Sequence, residues 1–228
     1  MKRILLLFVI LAFTFTLFCA CDKNAPSDET TVTETAADAA EYPLSDGDGL
    51  LFTQPFAYAG PYVEDGSDDE VGNVAAIRVK NDSDRAVRYA TFIVQTDGGE
   101  LRFVCTTLLP GSAALLLEQD RTPYRGEKAA LVKTEERADF EEAPSLLPEY
   151  FTLSVKNDTL TVQNVSGLPV QADLYVYYKK KDAEGYVGGI TYRVRFSGLG
   201  VDATLSQASS HLSETDCELL FVEMKQAS

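Results

Sequence analysis

The chain has 228 residues, with 20 Lys and Arg, 35 Asp and Glu and one His, which gives a formal net charge of −15 at pH 7. A chain this acidic is not expected to bind nucleic acid, because that binding relies on Lys and Arg side chains that neutralise phosphates. One histidine cannot form a histidine cluster for a metal, and the sequence has neither a Gly-x-Ser-x-Gly nor a phosphate-binding glycine motif. We therefore expect a protein that is not an enzyme, with no cofactor, metal ligand or catalytic residue.

The first 21 residues are organised like a bacterial export signal. Lys2 and Arg3 precede the apolar run Ile4–Phe18, which is short for a membrane span and typical of a signal-peptide core. The motif Leu17-Phe18-Cys19-Ala20-Cys21 resembles the lipobox of bacterial lipoproteins, in which a small residue precedes the acylated cysteine. The resemblance implies cleavage before Cys21 and a lipid on Cys21, which would anchor the protein on the extracytoplasmic face of the cell membrane. The alternative is a secretory signal that is cut nearby without lipidation.

Residues 22–46 differ sharply in composition from the remainder of the chain. They are rich in Asp, Glu, Thr, Ala, Pro and Ser and contain almost no large apolar residue. Such a segment cannot bury enough apolar surface to offset the entropy lost on ordering. We predict a disordered acidic tether between the membrane and residue 47 onward.

From residue 47 onward the hydrophobic pattern alternates with a period of two, which indicates β-strands. The predicted strands are Val74–Lys80, Val87–Thr96, Leu101–Thr106, Ala113–Glu118, Ala129–Lys133, Phe151–Val155, Leu160–Gln163, Val170–Lys179, Ile190–Phe196, Ala203–Ser206 and Glu218–Met224. Many short strands separated by turn signals such as Pro110-Gly111 and Asn157-Asp158 are typical of β-sandwiches.

An internal repeat divides these strands into two groups. The segment Ile77-Arg-Val79-Lys-Asn81-Asp-Ser83 matches Leu160-Thr-Val162-Gln-Asn164-Val-Ser166, and the order strand, Asn-x-Ser corner, strand, hairpin and glycine turn is then repeated. We predict an all-β protein with two tandem sandwich domains, residues 47–140 and 150–228, joined by a linker at 141–149. The corner Asn and Ser side chains are predicted to hydrogen-bond to the backbone. The second domain is predicted to have a long hairpin loop at Lys180–Gly188.

The segments Val79-Lys-Asn81-Asp-Ser83 and Pro110-Gly111-Ser112 carry a resemblance to a known family. With the strands between them, they resemble the immunoglobulin-like modules of the FxLYD type found in exported bacterial proteins. Gly60–Asp68 and Gly188–Val194 are similar to pieces of uncharacterised lipoproteins from Firmicutes. The resemblance implies tandem immunoglobulin-like domains at the cell surface, and it implies no reaction.

Three further features of the sequence are possible sites. Residues Glu64–Glu70 contain five carboxylates, which could supply oxygen ligands to calcium or form a solvated loop. Cys105 alternates with apolar residues and is predicted to be buried, so a disulfide with Cys217 is permitted by the exported location but geometrically awkward. His211 lies among polar residues and is predicted to be a solvated loop residue.

The most distinctive predicted surface lies on the second domain. If Leu174, Val176 and Tyr178 face the core, their neighbours on the same strand face outward beside two arginines of the next strand. This candidate binding surface consists of Tyr175, Tyr177, Lys179, Arg193 and Arg195. Tyr and Arg are enriched among residues that dominate binding energy, although cross-strand pairing or burial against the first domain would explain them as well.

From these features we expect a non-enzymatic lipoprotein that binds an unknown envelope protein or glycan. A structural or accessory lipoprotein of a membrane complex is the alternative, and an envelope enzyme is less favoured.

Overall fold

The computed structural model describes residues 42–226, which form β-strands, turns and loops. The strands are β1 (Leu44–Ser45), β2 (Leu50–Phe52), β3 (Phe56–Tyr62), β4 (Asp69–Asn81), β5 (Val87–Thr96), β6 (Gly99–Leu108), β7 (Ala113–Leu117), β8 (Ala129–Asp139), β9 (Phe151–Lys156), β10 (Thr159–Asn164), β11 (Asp173–Asp182), β12 (Gly185–Val187), β13 (Tyr192–Phe196), β14 (Thr204–Ala208) and β15 (Cys217–Lys225). Within the described range no helix could span a membrane. The all-β prediction is confirmed. The signal peptide, Cys21 and residues 22–41 of the predicted tether lie outside the described residues.

The first lobe consists of β1–β8. Strand β4 pairs with β2 and β3 along one edge and with β7 along the other, while a second sheet has the order β6-β5-β8. The alternating apolar side chains of the two sheets pack against each other, and the rings of Phe52 and Phe92 meet edge to face at 5.0 Å across this core. Cys105 is fully buried there, as predicted.

The second lobe consists of β9–β15 without the short strand β12. One sheet has the order β14-β10-β9, and β11 pairs with β13 on one side and β15 on the other. Leu160 and Val162 of the first sheet pack against Leu174 and Val176 of the second, and all four side chains are fully buried.

The two lobes repeat the same pairing scheme. Strands β10, β11, β13, β14 and β15 of the second lobe pair with one another as β4, β5, β6, β7 and β8 do in the first. The two predicted corners are also alike, since Asn81 and Asn164 each donate to two main-chain carbonyls and accept from the amide and hydroxyl of Ser83 and Ser166. The hydrogen bonds confirm the predicted structural role of both corners.

Each of the eleven predicted strands has a counterpart in the structure, but β1, β2, β3 and β12 were not predicted. The first two are very short, and β3 contains Gly60 and Pro61, which interrupt an alternating apolar pattern. The prediction of a long hairpin loop at Lys180–Gly188 is wrong. Strand β11 continues to Asp182, and β12 begins at Gly185, so the chain turns tightly between them.

The short strand β12 connects the lobes. It pairs in parallel with β7 of the first lobe, with Tyr186 opposite Ala114 and Val187 opposite Leu115, so one sheet continues from lobe to lobe. All described residues belong to a single compact unit. The predicted linker 141–149 contains no strand, and the independent folding of the second domain stays a prediction.

A bulge in β15 turns two apolar residues toward the first lobe. Tyr177 pairs with Phe221 and Tyr178 pairs with Leu219, so Leu220 is the extra residue. Leu220 and Phe221 join the first-lobe core, while Leu219 packs on the second-lobe core. One strand thereby contributes to both cores.

Candidate functional site

Most of the predicted binding surface does share one face of the sheet β13-β11-β15. Tyr175 stands opposite Arg195 of β13 and Glu223 of β15, and Tyr177 stands opposite Arg193. The alternation of side chains therefore predicted this face. We call the set Tyr175, Tyr177, Arg193, Arg195, Glu223 and Lys225 the Tyr–Arg face.

Tyr175 lies between two cations on this face. Its ring is partly exposed, with the guanidinium carbon of Arg193 5.0 Å and the Nζ of Lys225 5.6 Å from the ring centroid. A cation over a tyrosine ring is attracted by the ring quadrupole, by about 0.5–1 kcal/mol at an exposed site. Arg193 is exposed and, within residues 42–226, has no carboxylate at ion-pair distance. Its charge therefore remains available to a ligand.

Arg195 is positioned by an ion pair with Asp173. The Arg195 guanidinium lies 2.6 Å from Oδ2 of Asp173, and the Ser197 hydroxyl donates to Oδ1 of the same carboxylate. The hydrogen bond from Ser197, and after it the one from Arg195, lowers the pKa of Asp173. The Arg195 side chain is still 55% exposed, so it also presents its charge to solvent.

Tyr177 contacts the two charged residues that β15 contributes to the Tyr–Arg face. Its ring stacks on Phe221 at 4.3 Å, and its hydroxyl donates to Oε2 of Glu223 at 2.9 Å and accepts from Nζ of Lys225 at 3.2 Å. Burial alone would raise the pKa of Glu223, but the hydrogen bonds from Lys225 and Tyr177 outweigh it and lower that pKa. Tyr177 therefore orients the charged residues around it.

The charge of this region is opposite to that of the chain. Four cations, Arg88, Arg193, Arg195 and Lys225, are grouped with two carboxylates, Asp173 and Glu223. The local balance is 4 − 2 = +2 on a chain whose net charge is −15. Such a reversal favours the approach of an acidic partner.

The prediction that Lys179 faces outward is wrong, because the side chain is fully buried. Its ammonium donates to three successive carbonyl oxygens, those of Gly188, Gly189 and Ile190, at 2.8–3.2 Å. Lys179 projects from the same side of β11 as Tyr177, but the 188–190 loop and the first lobe cover that part of the strand. Burial lowers the pKa of Lys179.

The loop that receives Lys179 is fixed to the first lobe by Glu64. The carboxylate accepts from the amides of Leu117 at 2.9 Å and Gly189 at 2.8 Å. The carbonyl of Gly189 in turn accepts from the amide of Thr106 at 2.7 Å. Burial raises the pKa of Glu64, although these amides and the charge of Lys179 oppose the shift. We call Glu64, Lys179 and the 188–190 loop the interlobe clamp.

The acidic segment Glu64–Glu70 is engaged in contacts within the protein. Besides Glu64, Asp65 lies 2.5 Å from Arg121, and Asp68 lies 2.6 Å from Nζ of Lys180 in the second lobe. Within residues 42–226 no group of three or more His, Cys, Asp or Glu side chains is arranged to hold a metal ion. Glu64 and Asp68 therefore join the lobes, while Asp65, Asp69 and Glu70 are exposed, as the solvated-loop interpretation expects.

His211 packs within the protein, and the two cysteines of the described residues form no disulfide. His211 is partly buried, with its ring stacked on Tyr192 at 4.7 Å and its Nδ1 3.3 Å from Asp68, so the prediction of a solvated residue is wrong. Cys105 and Cys217 are unbonded thiols. Burial raises the pKa of both, to about 11 for Cys105.

Sequence reasoning missed Glu223, Lys225 and Arg88. The alternation of Phe221, Glu223 and Lys225 could have placed the last two on one face. However, nothing in the local pattern indicates that β15 pairs with β11, or that Arg88 of the first lobe approaches Glu223 to 3.3 Å.

The chain matches no protein-family model, no curated protein and no solved structure. The resemblance to FxLYD modules therefore stays a prediction.

Proposed function

We propose that this protein is a non-enzymatic binding module of the bacterial cell envelope, and that it presents the Tyr–Arg face to an acidic partner, either a protein or a glycan. The observation that carries the proposal is the cluster of Arg193, Tyr175 and Lys225. It combines a partly exposed aromatic ring with cations on a chain of opposite net charge. Partly exposed tyrosine and arginine side chains are the types that most often dominate binding energy.

The chemistry of the thiols supports a role without catalysis. A cysteine nucleophile reacts as the thiolate, which requires a lowered pKa. Burial instead raises the pKa of Cys217, whose thiol donates to the carbonyl of His211 at 3.3 Å. The neighbouring cysteine and histidine are therefore not arranged as a nucleophile and its base.

The test of this proposal is partner capture by crosslinking in native membranes. We expect the double substitution Tyr175→Ala and Arg193→Ala to weaken capture, with each residue contributing roughly 1–2 kcal/mol or more. Arg102→Ala is the matched control. Arg102 is also an arginine on a strand, β6, and its side chain is 49% exposed, but it lies outside the Tyr–Arg face. Unchanged capture by the double variant would contradict the proposal. So would a large loss of melting temperature, which would give both residues a structural role.

The location is a separate part of the proposal and rests on the lipobox-like motif at Cys21. We expect Cys21→Ala to release the protein from membranes or to leave its signal peptide uncut. Membrane association of a Cys21→Ala variant whose signal has been removed would contradict lipid anchoring.

The interlobe clamp favours a second candidate function, that of a structural or accessory lipoprotein in a membrane complex. A spacer needs its two lobes fixed to each other, and both the clamp and the continuous β7-β12 pairing fix them. In that case a membrane complex should co-purify with the protein regardless of substitutions on the Tyr–Arg face.

A further inference from the structure

A groove runs between two sheet edges beside the Tyr–Arg face. Among residues 42–226, β13 pairs only with β11 and β14 pairs only with β10, so each is an edge strand. The two edges lie side by side without pairing to each other. The space between them has a volume of about 350 Å³.

The groove presents both main-chain and side-chain recognition groups. An edge strand exposes unpaired amide and carbonyl groups, which can bind an added strand. Arg193 and Arg195 of β13 lie on one side, Gln207 and Ser209 on the other, and Tyr175 contributes its ring. No carboxylate lines the groove. Its lining is therefore polar and cationic.

The positive charges of Arg193 and Arg195 favour an acidic strand over a second copy of this chain as the occupant of the groove. Two copies of this chain would bring Arg193 and Arg195 against the same residues of the other copy, which opposes edge-to-edge pairing of β13 with itself. An acidic strand would instead place its carboxylates opposite these arginines. Arg193 and Arg195 are two residues apart and project to the same side of β13, so the matching carboxylates must also stand at alternate positions.

We propose that the groove binds an extended acidic segment of a partner protein, which adds as a strand to β13 with carboxylates at alternate positions facing Arg193 and Arg195. The inference rests on the proposed function and specifies its partner. Main-chain hydrogen bonds to β13 would supply affinity, and the two arginines would supply selectivity and register. Tyr175 lies on the same face of the sheet as the two arginines, and its ring, 5.0 Å from the guanidinium carbon of Arg193, would position that guanidinium for the carboxylate.

The probe is a synthetic ten-residue peptide of alternating Glu and Thr, titrated against the full chain. We expect saturable binding that Arg193→Ala weakens roughly 5- to 30-fold and Arg193→Glu weakens further, while Arg102→Ala leaves it unchanged. A peptide with an N-methyl group on every amide keeps the carboxylates but cannot donate main-chain hydrogen bonds from either edge, and we expect it to bind at least about 10-fold more weakly. Melting temperatures of the variants verify that they are folded.

The outcomes separate this inference from the proposed function. Equal binding of the N-methylated peptide would overturn strand addition, while the acidic partner of the Tyr–Arg face would remain. Binding of polygalacturonate in place of the peptide would identify an acidic glycan as the ligand and would also overturn strand addition. Peptide binding that is insensitive to Arg193→Glu would overturn the assignment to this groove, even if capture of the native partner still depends on Tyr175 and Arg193.

Discussion

At the level of single residues, the buried Lys179 side chain holds the 188–190 loop in place. Replacing it with Met would leave the carbonyls of residues 188–190 without their donor and Glu64 without a compensating charge. Removing one member of a buried charged arrangement costs about 3–5 kcal/mol, so we expect Lys179→Met to lower the free energy of unfolding by that amount. Urea unfolding monitored by circular dichroism measures it.

Lys181→Met is the matched control for this prediction. The Lys181 side chain is 40% exposed, and its only ion pair within residues 42–226, with Glu218, is 3.6 Å long. An exposed pair of this kind contributes little, so the change should stay within about 0.5 kcal/mol. Similar losses for both variants would show that the burial of Lys179 has no special importance.

The buried carboxylate of Glu64 predicts a dependence of stability on pH. Because burial raises its pKa above the ordinary value of 4.5, the folded protein holds this proton more tightly than the unfolded chain does. The resulting stabilisation is complete below pH 4.5 and is lost as the pH rises through the folded-state pKa. The stability of the protein relative to Glu64→Gln should therefore fall as the pH rises above 4.5 and through the folded-state pKa. Parallel pH profiles of the two proteins in urea unfolding would contradict this assignment.

At the level of the elements, the local sequence pattern predicted the positions of the strands well, but it predicted poorly which strand faces are covered by other parts of the protein. The prediction for β5, Val87–Thr96, agrees with the structure at both ends, because a long alternating segment bounded by turn residues carries all the necessary information. The same alternation placed Tyr175, Tyr177 and Lys179 on one side of β11. It could not show that the first lobe covers that side from Tyr177 onward, since this depends on contacts between residues far apart in sequence.

The 188–190 loop is the element in which a single methyl group should be most damaging. A Cβ at Gly189 would overlap the carbonyl oxygen of Val104 in β6, which is backbone and cannot move aside. We expect Gly189→Ala to destabilise the protein by about 1–3 kcal/mol, as overpacking does. Gly72→Ala provides the control, because a Cβ there meets no atom within 4 Å. A Gly189→Ala variant as stable as Gly72→Ala would rule out the close approach of the loop to β6.

At the level of the whole molecule, the central question is how far the two lobes depend on each other. The second-lobe core is built from its own strands, which supports the predicted folding of residues 148–228 in isolation. Three side chains of residues 148–228 nevertheless belong to the first-lobe core, namely Tyr186 of β12 and Leu220 and Phe221 of β15. The internal repeat could be predicted from the sequence because it is a local pattern. This exchange of side chains could not, because it results from the bulge in β15 and from the pairing of β12 with β7.

These contacts predict a fragment that folds but is less stable than the whole chain. Residues 148–228 should give a β-rich circular dichroism spectrum and unfold at a lower urea concentration, since the three shared side chains become exposed. Phe221→Ala tests whether the lost contacts with the first lobe cause the lower stability. In the full chain it should lower the free energy of unfolding by about 3–5 kcal/mol, the usual range for a buried Phe, but in the fragment by less than about 1 kcal/mol. A disordered fragment would mean that the lobes share one core. An equal cost of Phe221→Ala in both proteins would mean that Phe221 stabilises the second lobe by itself and that the interface contributes nothing through it.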